Sequence, residues 1–224
     1  MNDSKTGWFQ TPSGVKQGDV LSPTLFSLYI NDLAVEIKNS DVGIHLDNIT
    51  LGILLYADDI ALLAESEDDL QYLLNLLKTW CHRWRLTINQ KKTQIIHFRK
   101  KGTPRSKNTF LLGTSVLEYT PEYKYLGFCL DEFMTYEAGM KRLSGSAGRA
   151  LGSVVNKLKI CKDLGYATYT HLFEACVSPV LNYAAGIWRY KESKSSDAVQ
   201  HTAIRYFLGI HKFAPILAAQ GDIG

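Results

Sequence analysis

Apolar positions change their period along this chain, and each change marks a new element. From residue 22 the period is helical. Leu25, Tyr29, Leu33 and Ile37 make one stripe, with Phe26, Ile30 and Ala34 beside it, which predicts an amphipathic helix over 23–39. Ser22-Pro23 opens it with a hydroxyl to cap and a proline at the first helical position. Between 42 and 64 the pattern shortens to strand-length apolar runs, 42–46 and 49–56 about an Asp47-Asn48 turn, then 60–64. Tyr56-Ala57-Asp58-Asp59 falls between the last two runs and is expected at a hairpin tip. Ser66 and Asp69 form a capping-box variant. They precede a second helical stripe of Leu70, Leu73, Leu74, Leu77, Trp80, Cys81 and Trp84, which belongs in a core. Short strands are expected at 86–88, 94–98, 110–112, 115–117 and 125–130, with a basic Gly/Pro/Ser-bearing loop over 100–108. A strand is also expected at 8–10. After Met134 the texture becomes helical: 136–158, 166–185 kinked or broken by Pro179, and 196–208.

The sum is an α+β fold in two parts, a mixed part over 1–133 and an all-helical part over 134–224. A chain of 224 residues, 46% hydrophobic and 21% charged, is long enough to bury a sizeable core. Its longest apolar stretch, 49–64, carries Asp58 and Asp59 in its middle and does not read as a membrane span. The four cysteines (Cys81, Cys129, Cys161, Cys176) show no metal-ligand spacing. They are expected as reduced core thiols of an intracellular protein of the nucleus or cytoplasm, not a secreted one. His82 and His97 are expected to be structural.

Net charge is only +3, but its distribution is uneven. Residues 41–77 hold eight acids and no Lys or Arg; 78–107 hold ten Lys/Arg and no acid; 138–162 hold six Lys/Arg and no acid. An acidic block between basic ones fits a metal-binding centre flanked by surfaces that attract phosphate, although clustered surface charge alone gives the same pattern. Carboxylates gathered at a hairpin tip repel unless a cation sits among them. Hard oxygen donors of this kind suit Mg²⁺, and two such ions hold the attacking and leaving oxygens of a phosphoryl transfer. Taken alone, Asp58-Asp59 is equally an acidic exposed turn, and a Mg²⁺-dependent phosphoesterase is an alternative use of it.

Other motifs stand in order around this pair. Gly14-Val-Lys-Gln17-Gly18 followed by Ser22-Pro23 and Leu25-Phe26 is similar to the Gln-Gly, Ser-Pro, Leu-Phe block of reverse transcriptases. Tyr56-Ala57-Asp58-Asp59 resembles their Tyr/Phe-x-Asp-Asp box. Asn89-x-x-Lys92-Thr93 resembles their lysine-bearing turn, and Tyr125-Leu126-Gly127 their Tyr-Leu-Gly strand. Val177-Ser-Pro179-Val-Leu-Asn-Tyr183-Ala with Trp188, then Val199-Gln200 and Leu208-Gly209, looks like the segment after the polymerase core in non-LTR retrotransposons.

The resemblance implies a partial right-hand polymerase palm, an antiparallel sheet with packed helices, followed by a helical thumb-like region. It implies RNA-directed DNA polymerase chemistry: templated nucleotidyl transfer with two Mg²⁺ ions, an RNA template, a DNA primer and deoxynucleoside triphosphates. Asp58 and Asp59 are then catalytic metal ligands. Gln17 and Gly18 lie under the template–nucleotide pair. Lys92 stands near the leaving pyrophosphate, or is simply a solvent-facing turn lysine. Tyr125, Leu126 and Gly127 support the primer end, and Lys141, Arg142, Arg149, Lys157 and Lys159 track the nucleic-acid backbone. The family's first catalytic aspartate and its fingers belong to a block before the Gln-Gly motif, and nothing before Gly14 resembles it. The 224 residues are therefore expected to be a fragment inactive alone. The alternative is a non-catalytic nucleic-acid-binding remnant.

Overall fold

The computed structural model describes residues 14, 16, 18–161, 165–211 and 213–215. In chain order its elements begin with α1 (Ser22–Asn39), β1 (Ile44–Leu46), β2 (Ile49–Leu51), β3 (Ile53–Tyr56), β4 (Asp59–Leu62) and α2 (Glu67–Arg83). Short strands follow: β5 (Gln94–Ile95), β6 (Leu111–Leu112), β7 (Ser115–Val116), β8 (Glu118–Tyr119), β9 (Glu122–Tyr125) and β10 (Phe128–Asp131). The helices α3 (Glu137–Ile160), α4 (Tyr166–Cys176), α5 (Ser178–Leu181), α6 (Ala185–Trp188) and α7 (Lys194–Phe207) follow among the described residues. The chain is thus a mixed α+β protein. Its strands include the short antiparallel hairpins β1–β2, β3–β4, β6–β7 and β9–β10.

Contacts divide the chain into two compact units, 1–93 with 107–118, and 94–106 with 119–224. In the first, α1 and α2 pack through Ile30, Leu33 and Ile37 against Leu73, Leu77, Trp80 and Cys81. Ile53, Leu55, Ile60 and Leu62 of the β3–β4 hairpin close on the same core. Tyr29 donates its hydroxyl to the Trp84 carbonyl at 2.5 Å and meets that indole edge-on at 5.0 Å. The Gln71 side chain clamps β6, donating to and accepting from the Leu111 backbone, each at 2.9 Å.

In the second unit, α3 lies on β10. Phe128, Tyr136, Met140 and Trp188 form one cluster, and Ala147, Leu151, Val177, Leu181, Val199 and Ala203 another. Within this unit the hairpin β9–β10 packs against the helices after it through Phe128.

Several expectations are corrected. Leu25, on the expected α1 stripe, is 52% exposed; with Val20, Leu21 and Leu28 it leaves an apolar face at the start of α1. Ser22 does not cap α1. Its hydroxyl donates to the Lys16 carbonyl at 2.7 Å, and Leu21 takes the cap position. Residues 86–88 form no strand, whereas 166–185 break at Pro179 as expected, α4 ending before Val177 and α5 starting at Ser178, with α6 beginning only at Ala185. Cys161 and Cys176 are exposed, whereas Cys81 and Cys129 are buried, and burial raises both buried thiols' pKa. The expected strand at 8–10 lies outside the described residues. The Ser66 cap is present, accepting from the Asp69 amide at 3.1 Å.

Candidate functional site

The register of β3–β4 decides where the acids go. Ile53 pairs with Leu62 and Leu55 with Ile60, all turned to the core. Alternation then sends Tyr56 and its partner Asp59 to the other face, where both are exposed. A one-residue slip would bury Asp59 among leucines and isoleucines, so the apolar pairs hold the acid outward. Asp58 sits in the two-residue turn 57–58, and Ala57 adopts φ 50, in the left-handed region that alanine rarely enters. Both carboxylates are exposed, and among the described residues neither has a hydrogen-bond or ion-pair partner.

Lys92 lies in a tight turn in the same unit. The Asn89 carbonyl accepts from the Lys92 and Thr93 amides at 3.0 and 3.1 Å and from the Thr93 hydroxyl at 3.0 Å. The asparagine and threonine of the motif thus build the turn, and the exposed lysine is its free residue. Gly18 has φ 82, which glycine enters without strain. Gln17 lies outside the described residues.

In the second unit, Tyr125-Leu126-Gly127 is the β9–β10 turn. Leu126 and Gly127 have φ 46 and 88, the pattern of a type I′ hairpin turn. Lys141, Arg142, Arg149, Lys157 and Lys159 are all exposed on α3 and spread over ~27 Å of helix length. Arg142 is engaged by Glu122 at 3.0 Å, and Arg149 donates to the Ser146 hydroxyl at 2.9 Å.

The sequence reading missed the buried pair Asp131 and Glu132. Glu132 joins Arg99 at 2.9 Å and Arg105 at 2.6 Å, fastening both sides of the basic loop. Arg105 foremost holds its carboxyl below the usual range. Two adjacent acids closing an apolar strand were the available signal. His97 accepts from the Ser106 amide at 3.1 Å, inside the same loop.

The family model described as "Reverse transcriptase (RNA-dependent DNA polymerase)" matches residues 1–130. The chain belongs to the reverse transcriptase family. Among curated relatives of this reverse transcriptase chain is the RNA-directed DNA polymerase from mobile element jockey of Drosophila funebris. It is 30% identical over 182 residues, covering 79% of the chain and 19% of the relative. The probable RNA-directed DNA polymerase from transposon BS of Drosophila melanogaster is 28% identical over 84% of the chain and 21% of its own length. The Pol polyprotein of the retrotransposable element R2DM from Drosophila melanogaster is 35% identical over 54% of the chain and 12% of its own length. These are non-LTR retrotransposon polymerases, and the chain spans about a fifth or less of their length. No solved structure matches.

Reverse transcriptases in general use Mg²⁺. Asp58 and Asp59 fit that ion as hard, exposed, unengaged oxygen donors. They fit as part of a ligand set, since the described residues contain no group of three or more His, Cys, Asp or Glu placed to hold a metal. Among the described residues, no helix is long and apolar enough to cross a membrane.

Proposed function

We propose that this chain carries the Asp-Asp half of a templated nucleotidyl-transfer centre of an RNA-directed DNA polymerase. In this reading residues 1–133 are part of the palm and 134–224 a thumb-like region. The observation that carries it is the β3–β4 tip, where a fixed register and a strained alanine hold two unengaged carboxylates outward. Asp58 and Asp59 hold Mg²⁺, which when bound offsets charge on the attacking and leaving oxygens. Gln17 and Gly18 support the template–nucleotide pair, and Lys92 meets the pyrophosphate as a charge partner. Tyr125, Leu126 and Gly127 seat the primer end. The α3 cations lie along the backbone of the RNA template and DNA primer.

The 224 residues alone supply Asp58 and Asp59 but no upstream carboxylate resembling the family's first ligand, so alone they bind primer–template without extending it. With Arg142 engaged by Glu122, the four cations Lys141, Arg149, Lys157 and Lys159 give a log–log salt slope of about −4. The test uses the purified chain, its Asp58→Ala variant, a labelled DNA primer on an RNA template, deoxynucleotides and Mg²⁺. Mn²⁺ is added separately as a paramagnetic stand-in. The expected result is equal, salt-sensitive binding by both proteins, no extension, and Mn²⁺ broadening of the 57–59 amides that disappears in Asp58→Ala. Salt-insensitive binding, or broadening that survives the substitution, overturns the site. Extension that vanishes in Asp58→Ala overturns the inactivity of the chain alone.

A further inference from the structure

The turn at 126–127 is held from outside its own hairpin. Leu126 occupies φ 46, where leucine has neither the freedom of glycine nor the short polar side chain of asparagine. Strain of this kind persists where surrounding groups fix it. Here the fixing group is Tyr183, between α5 and α6. Its hydroxyl donates to the Leu126 carbonyl. Its ring stands against Gly127, so that a Cβ added there would come within 3.3 Å of a ring carbon.

Tyr183 is itself anchored. Its carbonyl accepts from the Trp188 indole nitrogen at 2.8 Å. Trp188 is 3% exposed and shares a cluster with Phe128, the first residue after the turn. Tyr183, by contrast, is 46% exposed. Burial of apolar surface is therefore a weak reason for its ring to lie here, and the directed hydrogen bond is the stronger one. A free carbonyl oxygen repels a phosphate-bearing strand, and the phenol engages that oxygen.

We infer that Tyr183 is a positioning residue that holds the Tyr125-Leu126-Gly127 turn in the form that seats the 3′ end of a primer. The inference rests on the proposed primer-seating role of that turn. It gives a task to the segment 177–188, which the palm chemistry leaves without one.

The test compares the full chain with Tyr183→Phe, which keeps the ring and removes the hydroxyl. The probe is a DNA primer on an RNA template with 2-aminopurine as the recessed 3′-terminal base. A covalently closed duplex without a free end is the reference. For the wild type we expect preference for the recessed end. In Tyr183→Phe that preference falls about five-fold, the equivalent of a hydrogen bond of about 1 kcal/mol. Affinity for the closed duplex stays within about two-fold, because the α3 cations are untouched. Gly127→Ala, which crowds the same ring from the other side, loses the end preference too.

Amide exchange at Gly127 and Phe128 separates the two claims. Faster exchange in Tyr183→Phe with no end preference in the wild type overturns the primer-seating reading and leaves the brace. Unchanged exchange, or an unchanged end preference in a wild type that has one, overturns the inference.

Discussion

Replacing Asp131 by alanine should loosen the start of α3 without unfolding the first unit. Asp131 ends β10 and is 8% exposed. Its carboxylate accepts from the amides of Phe133 at 3.0 Å, Thr135 at 3.0 Å and Tyr136 at 2.8 Å, and from the Thr135 hydroxyl at 2.9 Å. These bonds form the turn that launches α3, whose N-cap Tyr136 has φ 61 and makes no side-chain capping bond. Hydrogen bonds to a charged acceptor are each worth ~1.5–3 kcal/mol net. Phe133 and Thr135 are half-buried and regain water when the carboxylate goes, whereas Tyr136 stays buried. The expected cost of Asp131→Ala is therefore ~3 kcal/mol rather than the gross sum of the four bonds. Asp131→Asn keeps one acceptor oxygen and should cost roughly half as much. Because the chain packs as two units, a single melting temperature is a poor gauge. Amide exchange over 128–143 reads the local opening directly, and ~3 kcal/mol corresponds to acceleration by about a hundred-fold. Burial pushes the Asp131 carboxyl up, but the Thr135, Phe133 and Tyr136 bonds outweigh it and hold its pKa below the ordinary value. Its contribution is thus complete above the unfolded value of about 3.9 and disappears as pH falls through the folded one. Acceleration below about three-fold, or a greater loss in Asn than in Ala, would show that these bonds do not secure the helix start.

Three further changes test the packing of the same unit. Glu132→Gln should free the basic loop and hasten exchange over 99–106. The lowered Glu132 pKa means its stabilising effect is present above the unfolded value of about 4.3 and lost as pH falls through the folded one. The wild type should therefore lose protection over 99–106 more steeply than Glu132→Gln on acidification, and equal slopes would refute the pairing. Gly139→Ala should destabilise the unit by about 1–3 kcal/mol, since its Cβ would lie 2.6 Å from Phe128 and 2.7 Å from the Cys129 carbonyl. Gly148→Ala on the same helix meets nothing within 4 Å and should stabilise by about 1 kcal/mol, both read by urea unfolding.

Long periodic elements were legible in the sequence. The stripe from Leu73 to Trp84 predicted α2 and its buried face, and Asp58-Asp59 stands at a hairpin tip as the apolar runs implied. Leu25 shares the α1 stripe yet stands exposed, because periodicity marks an apolar stripe but not how far along the helix its partner reaches. The strand expected over 125–130 hid a hairpin turn, since Leu126 carries no turn-forming side chain and only Gly127 marks the place. The fastening of the basic loop by Glu132 was invisible, because Arg99 and Arg105 meet it across 27 or more residues. Spacing in sequence carries no signal for such a pair.

Both hairpins that carry expected functional residues are built alike. Each has four-residue strands, a two-residue turn, and a non-glycine residue in the left-handed region at its first turn position, Ala57 at φ 50 and Leu126 at φ 46. Turns of this length favour that region because it matches the twist of the strands, and asparagine or glycine enters it at least cost. Alanine and leucine there sacrifice roughly 1–2 kcal/mol each. A hairpin optimised for stability alone would not use them. The two turns meet the strain differently. At Ala57 it is contained by the register below, where Leu55 and Ile60 are anchored in the α1–α2 core. At Leu126 it is contained from the side, by the Tyr183 hydroxyl. In both, the residue beyond the strained position stands exposed, Asp58 in one and Gly127 in the other. A strained turn on a rigid ladder has few alternative conformations to relax into. That restriction suits the roles proposed above for Asp58 at a metal and for the 126–127 turn at a primer end.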